Sequence, residues 1–180
     1  MYKVGEEEIE AIARVIRSGA LFRYSDTSEC ARFEARYSEA LGVAHFDMAA
    51  SGTLALQAAL IGLGIGPGDE VRIPAHTYMA TATSVLSVGA IPVLVEIDES
   101  LTLDPVALQA AIGPGTRAVI PVHMWGAACA MDAILDIAGR HGLKVIEDAC
   151  QGVGGGYEGQ MMGSLGDAGA FSVNYFKSMT

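Results

Sequence analysis

The residues best suited to chemistry stand near strand-like and helix-like boundaries. Ser172, Asn174 and Lys177 follow the last apolar run, in a Gly/Ser-rich and otherwise apolar segment. A lysine in such surroundings, once its amine is unprotonated, is a Schiff-base nucleophile. It can equally be a solvated loop lysine. Asp148, with Gln151 three residues later, ends another apolar run. A carboxylate there can be a cap or a salt-bridge partner, or it can hold the protonated ring nitrogen of a bound heterocycle. Ser51-Gly52-Thr53 opens an apolar helical stretch. A small turn at a helix N-terminus offers unpaired N–H groups and a favourable dipole to an anion; the plainer reading is a Ser/Thr cap. Tyr78 could stack on an aromatic ring or simply pack in the core.

Two other features are weaker. Gly62-Leu63-Gly64-Ile65-Gly66-Pro67-Gly68 is glycine-rich, but it follows a helical pattern and precedes a strand. A dinucleotide-binding turn needs the reverse order, so this run reads as a helix-to-strand turn. The histidines His45, His76, His123 and His141 have no metal-ligand spacing, and His123 reads as a structural residue ending a buried strand.

The elements that must position these residues alternate between helix and strand. Apolar residues recur at helical spacing over residues 6–17, 28–41, 54–63, 79–88, 105–112 and 131–141. Ser28 and Asp104 are N-cap candidates, and Gly42 and Gly142 close helices. Strands are expected over residues 43–49, 70–74, 91–97, 117–123, 144–147 and 168–173. Runs such as Ala118-Val119-Ile120-Pro121-Val122 lack polar alternation, as strands buried on both faces do. The expectation is an α/β fold: a mainly parallel sheet in a three-layer αβα arrangement, with ligands at the C-terminal ends of the strands.

The 180 residues are half apolar and carry 21 acids against 11 bases, for a net charge of -10. A chain of this length can bury a sizeable core. No basic patch stands out, which argues against nucleic acid and anionic membrane as partners, although backbone amides can still hold an anionic small ligand. Cys30, Cys129 and Cys150 are scattered and odd in number, so a disulfide framework or zinc site is not expected and a cytoplasmic location is. The first ten residues lack the apolar core of a signal peptide, and no apolar run is long enough for a membrane helix.

Taken in order, Ser51-Gly52-Thr53, Ala75-His76-Thr77-Tyr78, Pro121-Val122-His123, Glu147-Asp148-Ala149-Cys150-Gln151, Gly163-Ser164-Leu165-Gly166-Asp167, Phe171-Ser172 and Lys177 resemble the DegT-type (DegT/StrS) aminotransferases. The resemblance implies fold type I of the pyridoxal 5′-phosphate (PLP) transferases. It also implies amino transfer, from glutamate, to a keto-sugar on a nucleotide carrier, in a homodimer. By position, Gly52 and Thr53 would cradle the cofactor phosphate and Ser172 would add a hydroxyl. Tyr78 would stack on the ring, Asp148 would hold its nitrogen and Gln151 its phenolic oxygen. Lys177 would tether the cofactor and shuttle the proton. Sugar dehydratases of this fold carry histidine at the lysine position, so Lys177 favours transamination. Tyr175-Phe176 stand where many relatives have Pro-Thr, which marks a subgroup. Relatives are about twice as long, so residues 1–180 are expected to be the N-terminal part of the PLP-binding large domain, without its remainder or the small C-terminal domain. Such a piece is expected to be inactive alone. The alternatives are a non-catalytic fragment, a dehydratase-like relative, and a nucleotide-binding α/β module, the last disfavoured by the reversed context of residues 62–68.

Overall fold

The computed structural model describes residues 5–25 and 27–177. Their backbone divides into two compact units, one up to Met48 and one from Ala49 onward.

The first unit holds helices α1 (Glu6–Ser18) and α2 (Glu29–Leu41). Three glutamates in the first turn of α1 face the positive end of its dipole, and Gly19 ends it in the left-handed region at φ 70°. Ser28 caps α2 by accepting from Ala31 N–H, and Gly42 closes it at φ 70°. Residues 43–49, expected as a strand, form none. Their contacts go to α2 instead of to a neighbouring strand. The Phe46 ring packs 4.7 Å from Tyr37 and 5.9 Å from Phe33, and Met48 N–H donates to the Glu34 carboxylate. Val43 N–H likewise donates to Ser38 O of α2, so two of the segment's backbone donors are engaged by the helix and not by a strand.

The second unit carries α3 (Gly52–Gly62), β1 (Glu70–Pro74), α4 (Ala80–Ser87), β2 (Ile91–Val95), α5 (Pro105–Ala111), β3 (Thr116–Val119), α6 (Met131–His141), β4 (Lys144–Asp148), the short hairpin β5 (Gly156–Tyr157) and β6 (Gln160–Met161), and β7 (Ala168–Ala170). Five strands form one sheet in the order β2-β1-β3-β4-β7, and every pairing in it is parallel. Neighbouring residues of each strand point into opposite layers. Val71, Ile73, Ala118, Ile120 and Ile146 meet Leu56 and Leu60 of α3 and Val85 of α4. Val119 and Val145 meet Leu108 of α5 and Met131, Ile134 and Ile137 of α6. This double coverage is why runs such as residues 118–122 and Ile91–Val95 are apolar without polar alternation. Each fully buried Leu, Ile or Val contributes about 1.5–3 kcal/mol of transfer free energy. The three-layer αβα expectation therefore holds.

Strand β3 ends at Val119, short of the expected His123. Pro121 has no N–H to give the ladder, yet the backbone stays engaged: Asp148 N–H donates to Pro121 O, and His123 N–H to Asp148 O. From β1 the chain moves outward to β2 and then returns to β3 on the other side. That reversal is the switch point at which open α/β sheets leave a crevice beyond the strand ends.

Candidate functional site

A cavity of about 350 Å³ opens at this C-terminal edge of the sheet, within the size range of small-molecule sites. Gly52, Thr53, Tyr78, Asp148, Gln151, Ser172 and Lys177 all line it, so every residue singled out in the sequence for a site meets at one place.

The turn before α3 makes one wall. Ser51 is its N-cap, with Oγ accepting from Leu54 N–H at 3.1 Å and its carbonyl accepting from Ala55 N–H. The cap reading of Ser51 is thus correct, and it leaves the first two helix donors, Gly52 and Thr53 N–H, for a ligand. Gly52 is dictated by packing. A methyl group on it would sit 2.9 Å from Cys150 Sγ, 3.1 Å from Phe171 O and 3.2 Å from the Ser172 Cβ. The helix N-terminus and the chain leaving β7 therefore approach as closely as a bare backbone allows, which puts Ser172 beside the exposed amides. Amides and a hydroxyl at the positive end of a helix fit a phosphate.

Asp148 ends β4 and is buried. Its Oδ2 accepts from Thr81 Oγ1 at 2.8 Å and its Oδ1 from Cys150 N–H at 3.2 Å. Both oxygens are thus engaged by donors of the surrounding fold, and neither caps one of the helices described above. Tyr78 is 65% exposed, which rules out the core-packing alternative. Lys177 Nζ lies 5.7 Å from the centre of its ring. Gln151 Oε1 accepts from Trp125 N–H at 3.4 Å, and its Nε2 faces Met124 Sδ at 3.5 Å. Trp125 takes φ 51°, in the left-handed region, to make this turn, a conformation that costs a bulky residue about 1–3 kcal/mol.

Among the contributors that the sequence reading missed are Thr81, Val122 and Cys150. Thr81, buried in α4, was invisible because its role depends on contact with a strand 67 residues away. Val122, which lines the cavity, looked like any core valine. Cys150 forms part of the wall; burial and then the Asp148 carboxylate push its thiol pKa up, against a smaller opposing pull from Lys177, which disfavours the nucleophilic thiolate. His123 stands apart from the cavity lining. Its Nδ1 accepts from Cys129 N–H, and its Nε2 proton goes to Glu147 Oε2 at 2.9 Å. Glu147 also accepts from the N–H groups of Gly163, Leu165 and Gly166. This buried knot ties the segment before β7 to β4, and so helps to set where Ser172 emerges.

The donor set fits a phosphorylated pyridine. Backbone amides of a helix N-terminus, a buried carboxylate and an exposed aromatic ring line one space, with an amine above that ring.

Comparison with known proteins agrees with this chemistry. Residues 3–180 match the model of the DegT/DnrJ/EryC1/StrS aminotransferase family. The L-glutamine:2-deoxy-scyllo-inosose aminotransferase of Streptoalloteichus tenebrarius is 43% identical over 96% of this chain and 42% of its own length. The GDP-perosamine synthase of Caulobacter vibrioides is 50% identical over 78% of this chain and 38% of its own. The crystal structure of an aminotransferase from Psychrobacter cryohalolentis superposes with a TM-score of 0.94 at 36% identity, covering 99% of this chain and 45% of that one. NtdA from Bacillus subtilis, solved with bound PMP, superposes with a TM-score of 0.79 at 34% identity, over 89% of this chain and 37% of its own. The chain spans less than half the length of the relatives it matches.

Proposed function

Because the chain belongs to the DegT/DnrJ/EryC1/StrS aminotransferase family, whose cofactor is PLP, we propose that the gene product carrying it transfers an amino group from glutamate to a keto-sugar nucleotide. The observation that carries this reading is the meeting of a Gly-lined helix N-terminus, a buried carboxylate and a lysine amine around one cavity.

Gly52 and Thr53 N–H and the Ser172 hydroxyl hold the cofactor phosphate. Asp148 pairs with the ring nitrogen and Gln151 with the phenolic oxygen. Tyr78 covers one ring face. Lys177 would tether the cofactor, and its amine would serve as the positioned acid and base that takes and returns a proton at Nζ. When bound, PLP supplies an electron sink and carries the amino group between donor and acceptor. The site is completed by a second copy of the chain in a homodimer. The described residues form the N-terminal part of the cofactor-binding domain.

A second reading differs in substrate. One relative is named for L-glutamine as donor and for 2-deoxy-scyllo-inosose, which is not a nucleotide sugar. Purified gene product should be loaded with PLP and offered glutamate or glutamine, each with keto-sugar nucleotides and with keto-cyclitols. Amino product from glutamate and a nucleotide-linked ketone supports the first reading. Product only from glutamine and a free cyclitol ketone replaces it with the second. Water loss from the sugar without amine transfer rejects both in favour of a dehydratase.

A further inference from the structure

We propose that Thr81 is a positioning residue for the cofactor ring, acting through Asp148 and supported in turn by Thr77; the inference rests on the reading of Asp148 as the ring-nitrogen partner.

Thr81 is fully buried. An ionised carboxylate can only accept, so the Thr81 hydroxyl proton is committed to Asp148 Oδ2, 2.8 Å away. That leaves the Thr81 oxygen as an acceptor, and Thr77 Oγ1 lies 2.7 Å from it. The competing acceptor for Thr77, the Tyr78 carbonyl, is 3.4 Å away. The hydroxyls therefore form a directed chain, Thr77 to Thr81 to Asp148. On the other oxygen of the carboxylate, Cys150 N–H donates from a fixed backbone position. Two donors of fixed origin, one on each oxygen, set the plane of the carboxylate.

The same short segment also anchors the backbone of Tyr78, which borders the cavity. Thr81 N–H donates to Tyr78 O at 3.0 Å, and Ser84 Oγ donates to Thr81 O at 2.8 Å. The Tyr78 backbone and the Asp148 carboxylate are thus both tied to Thr81. A heterocycle in the cavity meets a carboxylate whose plane is set by the Thr81 and Cys150 donors. The hydroxyl of Thr81 provides this link, and a valine of nearly the same shape would not.

The test compares wild type, Thr81→Val, Thr81→Ser, Thr77→Val and Asp148→Asn as complete gene products. Two readouts are taken: PLP affinity by titration into cofactor-free protein, and the pH dependence of the visible absorption of the loaded protein. Thr81→Val is expected to weaken PLP binding about tenfold, from loss of a hydrogen bond to a charged group, and to displace the pH profile in the same direction as Asp148→Asn. Thr81→Ser restores both, which a purely packing role would not do. Wild-type affinity and profile in Thr81→Val, with Asp148→Asn altered, overturn the role of Thr81 and leave Asp148 standing. Wild-type behaviour in Asp148→Asn overturns the reading of Asp148 and with it this inference. If Thr81→Val does not fold, Thr77→Val decides: a smaller displacement in the same direction supports the chain of hydroxyls, and none overturns it.

Discussion

Replacing Gly52 by alanine probes the phosphate cradle with a single methyl group. The new Cβ would meet Cys150 Sγ at 2.9 Å, Phe171 O at 3.1 Å and the Ser172 Cβ at 3.2 Å. Unstrained carbon contacts lie at about 3.5–4.0 Å, so several tenths of an ångström must be recovered at three atoms. The Cys150 thiol can rotate, but the Phe171 carbonyl belongs to the backbone. The first turn of α3 must therefore retreat from the chain leaving β7. Overpacking of this kind costs about 1–3 kcal/mol. The displaced groups are those proposed to bind phosphate, so PLP affinity should fall by about tenfold or more, at about 1.4 kcal/mol per tenfold. Gly62→Ala is the control. It lies at the other end of the same helix, where an added methyl meets nothing within 4 Å, and alanine is the better helix former by up to about 1 kcal/mol. PLP titration and thermal unfolding of both variants check the argument. Wild-type PLP affinity in Gly52→Ala, or equal damage from Gly62→Ala, would refute it.

Glu147→Gln should lower stability by about 1–3 kcal/mol for each buried donor left unpaired among His123, Gly163, Leu165 and Gly166; denaturant unfolding measures it. Burial pushes the Glu147 carboxyl up, but hydrogen bonds from His123, Gly163 and Gly166 outweigh it and hold the group below the ordinary value of 4.5. Its contribution is therefore complete above that value and fades as pH falls through the lowered folded one. Melting curves recorded down the acid range should lose this component in Glu147→Gln. Burial raises the Cys129 thiol to about 12, so mass spectrometry after alkylation at neutral pH should find Cys129 unmodified until the protein is unfolded.

Much of the sheet was legible because parallel strands buried on both faces leave apolar runs without polar alternation, as over Ile91–Val95 and residues 118–122. The candidate residues were legible because each directly follows a strand or opens a helix, where an α/β fold collects its ligand contacts. Residues 43–49 misled because their composition suits a strand, whereas pairing depends on a neighbour the sequence does not specify. Pro121 shortened β3 by removing a donor. The Thr77–Thr81 chain and the Glu147 knot were hidden for another reason. Their partners lie far away in sequence, and a buried threonine or glutamate carries no local mark of the donors that will meet it.

The central claim is that Lys177 is the amine that holds the cofactor beside Asp148 and the α3 cradle. Borohydride reduction of the PLP-loaded gene product, followed by proteolysis and mass mapping, tests it directly. The account predicts the phosphopyridoxyl mass on the peptide containing Lys177, and none after Lys177→Ala. The same mass on Lys3 or Lys144, or undiminished incorporation in Lys177→Ala, would contradict it.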